Sequence, residues 1–508
     1  MAAVLMSGCL FDSKYPDLST NTQTYQSKDL DIILPASTSA DSVVTLFQPF
    51  LDAGLKPGQS TALEQFKPVN VKDHVSGKVV RYTLARQRYG SWEPRLEFRW
   101  NYFVLQSNFL FPGGLPDTTG LADETKTLYE RVHLEDSFTN YFDSAAAPGI
   151  WTRINSSTRP GAMGLAVEAS IDGDSVLVQF VVTSSPAGRA GMVKGMAIVA
   201  INDSATVGDS ALERFHRFST GDSGTAVKLS VTGPGTRGPA SLALVREPVA
   251  FPTVMVDSIQ GVGYISINGF TPHTVGSKST YTEFRDALLA TRGYPTTLID
   301  LRDNGGGSLD VAMKMCDEIL PAGTVIIRQN ERRFDELARV PLQSEITALA
   351  SAGGVGEKAL DGSQRKYLLL ANGNSASASE IFLVAVNEGV NAPMMGTRTY
   401  GKGVGQTVRN TPGKGLALVT YLKFTSARKL DYHKLGINPD FPDTSDGKTL
   451  LANAAQKALV LASGPVAKIS ASARATIDRK ASALEWNRRQ AVKRGVSELE
   501  AFKERRAF

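Results

Sequence analysis

Short apolar runs alternate with longer segments of helical periodicity over residues 262–390. VGYISINGF (262–270) reads as a strand, and TTLIDLR (296–302) and Tyr367-Leu-Leu-Leu-Ala371 as short apolar runs of buried-strand type. Between them, residues 279–292 put Tyr281, Phe284, Leu288 and Leu289 on one helical face. Residues 308–320 predict a second helix, and Ala376–Asn387 a third. Strand, helix, strand, helix, strand, helix predicts an α/β core. Residues 416–440 read as two strands and a closing turn, and residues 330–365, mixed in charge and glycine, as an exposed insertion. Upstream, 78–87 and 95–100 are strand-like. From Trp100 the pattern turns helical and aromatic, through Tyr102, Phe103, Leu105, Phe109 and Phe111 to the segment 128–142. Residues 10–60 are polar and aperiodic, a linker. The last 50 or so residues form a basic helical tail, read as a solvated or domain-capping helix.

The chain has 508 residues, 42% of them hydrophobic and 21% charged, enough for two to four domains with ample cores. A net charge of +5 with no long basic run before the tail argues against a nucleic-acid partner. Two cysteines, Cys9 and Cys316, make no disulfide framework, and Cys316 falls in an apolar helical pattern as a core thiol.

Ser377 stands where a strand run gives way to a helix, so its hydroxyl is exposed at the sheet's carboxyl edge with first-turn amides beside it. Lys402 follows in a loop containing Gly401, Gly403 and Gly405, and Gln406 lies four residues further on. A lysine acts as a base only when neutral, which requires burial or a cationic neighbour. The pattern reads as a serine–lysine hydrolytic site. Ser375 and Ser379 flank the serine, one of them as a helix cap, and Glu380 suits the helix dipole.

The stretches NSASASE and TYGKGVGQ, with their spacing, resemble the signature of the carboxyl-terminal processing (tail-specific) serine peptidases, and the likeness runs over roughly residues 160–445. It implies Ser377 as nucleophile, Lys402 as base and Gln406 as the residue that positions the lysine. It also implies an oxyanion hole from Ala378 and Gly306, with Gly307 next in line. The core would be a crotonase/Clp-like α/β spiral, with no cofactor and with unfolded or tail-exposed proteins as substrates. Residues 184–206 resemble the helix-and-strand stretch of a PDZ domain, with Met163, Gly164 and Leu165 where a carboxylate-binding loop is expected and Met196 in place of the usual acidic residue.

The expected organisation is a lipoprotein signal end (1–9), a linker and irregular region (10–95), a helical domain (96–155), a PDZ domain (160–250), a peptidase core (251–445) and a helical tail (446–508). Met1–Cys9 resembles a lipoprotein signal end, with Ser7 and Gly8 before an acylated Cys9, although Met6 replaces the usual leucine. That places the protein at the periplasmic face of a bacterial envelope. His74, His133, His216, His273 and His433 do not lie beside the serine motif, and no HExxH spacing points to a metal. The competing reading is a catalytically silent PDZ-containing binding or scaffold protein. An acyl-CoA enzyme on the same fold would leave the serine and lysine without a role.

Overall fold

The computed structural model describes residues 94–463, apart from 118–123, 170–174, 209, 237, 336–339, 352–364, 412 and 446, together with the strands Asp29–Pro35, Gln65–Lys72 and Val79–Arg88. Cys9 and the segment 464–508 lie outside the described residues. The described residues divide into two compact units, 149–253 with 271–283 forming one and the rest of the described residues the other.

The larger unit is built on a six-stranded sheet in the order Val254–Ile259, Val262–Ile267, Thr296–Asp300, Lys366–Ala371, Met394–Gly396, Phe441–Pro442. The first pair is antiparallel and the rest parallel. Thr296–Asp300 is buried at every position, as a central parallel strand must be when both faces are covered. The helices Leu309–Ile319 and Ala378–Val390 pack together. The helix Gly447–Ser463 buries Leu450, Ala454, Ala455 and Ala458 in a cluster with Val262, Leu298, Leu368 and Leu370. Its small residues bring the helix axis close to the strands, so this part of the expected basic tail is core. In the helix Thr280–Ala290, Phe284, Ala287 and Leu288 are buried while Leu289 is exposed, which narrows the expected apolar face.

A second, antiparallel sheet runs Val340–Leu349, Val325–Asp335, Leu416–Thr425, Val404–Asn410, and Asn140–Phe142 pairs onto Leu416–Thr425. Two expectations change here. The supposed insertion at 330–365 begins as a hairpin with Glu331 buried, and residues 416–440 give one long strand followed by turns. Upstream, residues 95–100 belong to the helix Pro94–Asn108. Proline at its first position presets φ, and Phe98, Asn101 and Leu105 recur at helical spacing as buried residues. The helix Thr125–Glu135 stops at Asp136, which is extended (φ −142°, ψ 102°). The strand-like stretch 78–87 is met by Val79–Arg88, which pairs antiparallel with Gln65–Lys72 and with Asp29–Pro35, a strand inside the expected linker.

The smaller unit holds a six-stranded sheet. Its main order is Ala240–Val245, Ala226–Thr232, Ala197–Ile201, Val176–Val181, Leu165–Ala169, and Ser204–Ala205 pairs at the side. Val178, Ile198, Ile201, Leu229, Val231 and Phe215 of the helix Ala211–Ser219 fill its core. Met163 and Met196 are buried in the same cluster, and Gly164 precedes the strand that starts at Leu165. The carbonyls of Met163 and Gly164 accept from the amides of Ala187 (3.0 Å) and Val182 (2.8 Å).

Candidate active site

The strand Lys366–Ala371 ends in a tight connection, and Ser377 opens the next helix with φ 58° and ψ −118°. A side chain with that backbone is strained, and such strain persists only where surrounding bonds hold it. Here they do. The buried hydroxyls of Ser375 and Ser379 donate to the carbonyls of Leu301 and Asn304, each at 2.8 Å, and the amide of Ala376 donates to Asn304 O at 3.0 Å. Neither flanking serine caps the helix. Both bolt the connection to the turn after Thr296–Asp300, and Ser377 alone of the three serines is half-buried rather than buried.

Asn304 organises that turn. It is fully buried, its amide nitrogen donates to Ile267 O at 2.7 Å, and its Oδ1 accepts from the Gly306 amide at 2.9 Å. Gly306 has φ 100°, and a Cβ there would stand 2.7 Å from Ala376 O and 2.8 Å from Ser377 Cβ, so only glycine lets the turn lie against the serine. Because the Gly306 amide is committed to Asn304, the Gly307 and Ala378 amides are the ones beside the serine without a partner among the described residues.

Glu380 joins the serine to the lysine. Its carboxylate is fully buried and accepts from Thr399 Oγ1 (2.5 Å) and Gly401 N (2.7 Å) on Oε1, and from Ser377 N (2.9 Å) and Lys402 N (2.7 Å) on Oε2. One oxygen atom therefore holds the backbones of both motif residues. Burial pushes this carboxyl up to about 7, against the pull of its donors. Reading Glu380 as a dipole partner only misses this role. The signal was present as the S-x-x-E spacing of a capping box, whose glutamate reaches back to the N-cap amide. Asn304 had no comparable signal, since an asparagine before glycines reads as an ordinary turn residue.

The lysine loop is held from its other side. The Gly401 carbonyl accepts from Lys434 N at 2.6 Å, and a Cβ on Gly401 (φ 93°) would collide with the backbone of Leu435 and Gly436. Burial is the main influence on the Lys402 amine and lowers it to about 8, while Asp136 and Glu380 act in the opposite direction. The amide of Gln406 donates to Thr420 Oγ1 at 3.0 Å. His433, next to this loop, is driven down to about 4, first by burial and then by Lys434 and Lys423; its ring nitrogens are buried without a hydrogen-bond partner. No cluster of metal-ligating side chains occurs among the described residues.

Residues 261–442, which carry the serine, the glycine turn and the lysine loop, match the family model described as Peptidase family S41. Over this stretch the chain is similar to peptidase family S41. The alignments to curated relatives are longer. A carboxyl-terminal-processing protease of Synechocystis is 31% identical over 289 residues, 55% of this chain and 61% of the relative. A protein of Staphylococcus aureus named "Probable CtpA-like serine protease" is 30% identical over 280 residues, 55% of this chain and 52% of the relative. The chain thus spans between half and two thirds of the length of these relatives. Among solved structures, a protein of Bacteroides fragilis named "Putative S41 protease" is similar with a TM-score of 0.51 at 16% identity, covering 74% of this chain and 99% of that one. That likeness speaks to the α/β fold of the S41 peptidases.

Proposed function

We propose that the protein is a serine endopeptidase with a Ser377–Lys402 dyad that hydrolyses protein substrates. The observation that carries the reading is the Glu380 carboxylate, which gathers the Ser377 and Lys402 backbones onto one oxygen beside a lysine amine that burial holds near neutrality. Neutral Lys402 takes the Ser377 hydroxyl proton as Oγ attacks the scissile carbonyl, and the ammonium returns a proton to the leaving amine. Water, deprotonated in turn by Lys402, then releases the acyl-enzyme. The amides of Gly307 and Ala378 bind the oxyanion, each contributing about 3 kcal/mol of barrier lowering. Gly306 serves by its close approach to Ser377, and Gln406 holds its strand's end of the lysine loop in register through Thr420.

The smaller unit is read as a PDZ-type module that takes the carboxyl-terminal tail of a substrate, and its six-stranded sheet with the Ala211–Ser219 helix supports that reading. A lipid on Cys9 would tether the enzyme at the periplasmic face of the envelope, testable by radiolabelled palmitate incorporation in wild type and Cys9→Ala. The catalytic reading is tested by casein cleavage with Ser377→Ala and Lys402→Ala. Each should lose at least about a thousandfold in rate, and equal cutting by either variant rejects the dyad. In wild type the rate should fall about tenfold per pH unit below about 8, where the lysine becomes protonated, and level off above it.

A further inference from the structure

Just beyond the helix Thr125–Glu135, and outside the S41 segment, a short turn lies against the lysine. Asp136 ends that helix and is 3% exposed. Its Oδ2 accepts from Thr139 Oγ1 at 2.6 Å and its Oδ1 from the Phe138 amide at 3.3 Å. This pins Phe138 so that its ring face carries the Lys402 Nζ, 4.8 Å from the centroid. The same ring meets Tyr400 edge-on at 6.4 Å and His433 at 6.3 Å, which fixes its plane. Thr139 continues the chain of contacts. Its Oγ1 accepts from the Thr420 amide at 3.0 Å, and Thr420 Oγ1 accepts from Gln406. One turn, Asp136–Thr139, thus reaches both the lysine and the glutamine of the motif.

We propose that Phe138 and Asp136 are positioning residues for Lys402, with Phe138 seating the amine and Asp136 locking the turn that carries Phe138. This rests on the Ser–Lys reading above. A buried amine on a flexible four-carbon stem needs a surface to hold it in line with the serine, and an aromatic face does so for the ammonium by its quadrupole and for the neutral amine by packing. The charged groups facing the amine are Asp136 and Glu380. Lys423, Lys434 and Asp431 act on the neighbouring His433. Removing the Asp136 charge while keeping its shape therefore makes the amine easier to deprotonate. Replacing Phe138 by an aliphatic of similar bulk removes the quadrupole and the flat seat together.

The test is the rate at which a fluorophosphonate probe labels Ser377 in the full-length chain, followed against pH. Ser377→Ala and Lys402→Ala serve as controls, and thermal unfolding establishes that each variant folds. Phe138→Leu should lower the plateau rate about tenfold, the scale expected of a misplaced catalytic group, while Phe138→Trp stays within about twofold. Asp136→Asn should move the midpoint of the pH profile down by about one unit, the size of one nearby opposite charge. The inference is overturned if Phe138→Leu labels like wild type. It is equally overturned if Asp136→Asn slows labelling at every pH with its midpoint unmoved, as a purely structural loss would. In both cases Lys402→Ala would still be inert. Labelling of Lys402→Ala at the wild-type rate and pH profile instead rejects the dyad itself, and the positioning role with it. Should Phe138→Leu fail to fold, Asp136→Asn decides the matter: a lowered midpoint, with Phe138→Trp within about twofold of wild type, upholds the inference, and an unmoved midpoint overturns it.

Discussion

Lys402 shows how one residue can cost stability and, in the proposed dyad, supply chemistry. Burial disfavours the charge and pushes its amine down to about 8, from the 10.5 of a solvent-exposed lysine. The folded protein therefore bears a penalty that is complete below pH 8 and fades between 8 and 10.5 as the unfolded chain also loses its proton. Lys402→Met, which keeps bulk and drops charge, should unfold at higher temperature than wild type at pH 6, by an amount worth a few kcal/mol. That gain should shrink as pH rises through the same window. Calorimetry across pH 6–10 measures it, and a gain constant with pH would mean the amine is not burdened by burial. The same arithmetic explains why the motif lysine, unlike a surface lysine, has a neutral fraction to offer near physiological pH.

At the scale of elements, the decisive feature is the junction of the strand Lys366–Ala371 with the helix Ala378–Val390, braced by the turn around Asn304. Strand and helix were legible from apolar runs and periodicity, because a parallel strand covered on both faces and a buried helix each impose a pattern on their own residues. The brace was not, since Ser375, Ser379 and Asn304 make their bonds to partners some seventy residues away in sequence. Gly306→Ala probes the brace directly. Its φ of 100° and a Cβ 2.8 Å from Ser377 Cβ predict a stability loss of about 1–3 kcal/mol together with loss of proteolysis. Denaturant unfolding and casein cleavage would show both, and an active, equally stable variant would mean the turn does not lie against the serine.

Over the whole molecule, segments on either side of the S41 stretch are part of the larger unit rather than appendages. The buried Glu97 carboxylate accepts from Tyr141 Oη (3.0 Å) and Gly413 N (2.6 Å), joining the helix Pro94–Asn108 to the turn before Leu416–Thr425. At the other end, Gly447–Ser463 covers one face of the parallel sheet through its alanines. Ala455→Asp places an unpaired carboxylate among Leu298, Leu368 and Leu370. It should cost at least about 3 kcal/mol, seen as a lower melting temperature or loss of soluble protein. A variant as stable as wild type would show that the helix does not close the core.

By itself the sequence determined the α/β alternation, the buried strands and the serine and lysine motifs, because each is written in neighbouring residues whose spacing carries the physics. It misjudged the helix at Pro94 and the exposure of Leu289, and it left open whether the helix at 447–463 was solvated or capping, because there local pattern is ambiguous and packing chooses. Only the tertiary structure brought Glu380 to the lysine loop and placed Phe138 under the amine. Those contacts depend on which surfaces meet when the chain closes, and a free energy of closing is shared among residues that carry no sign of one another along the chain.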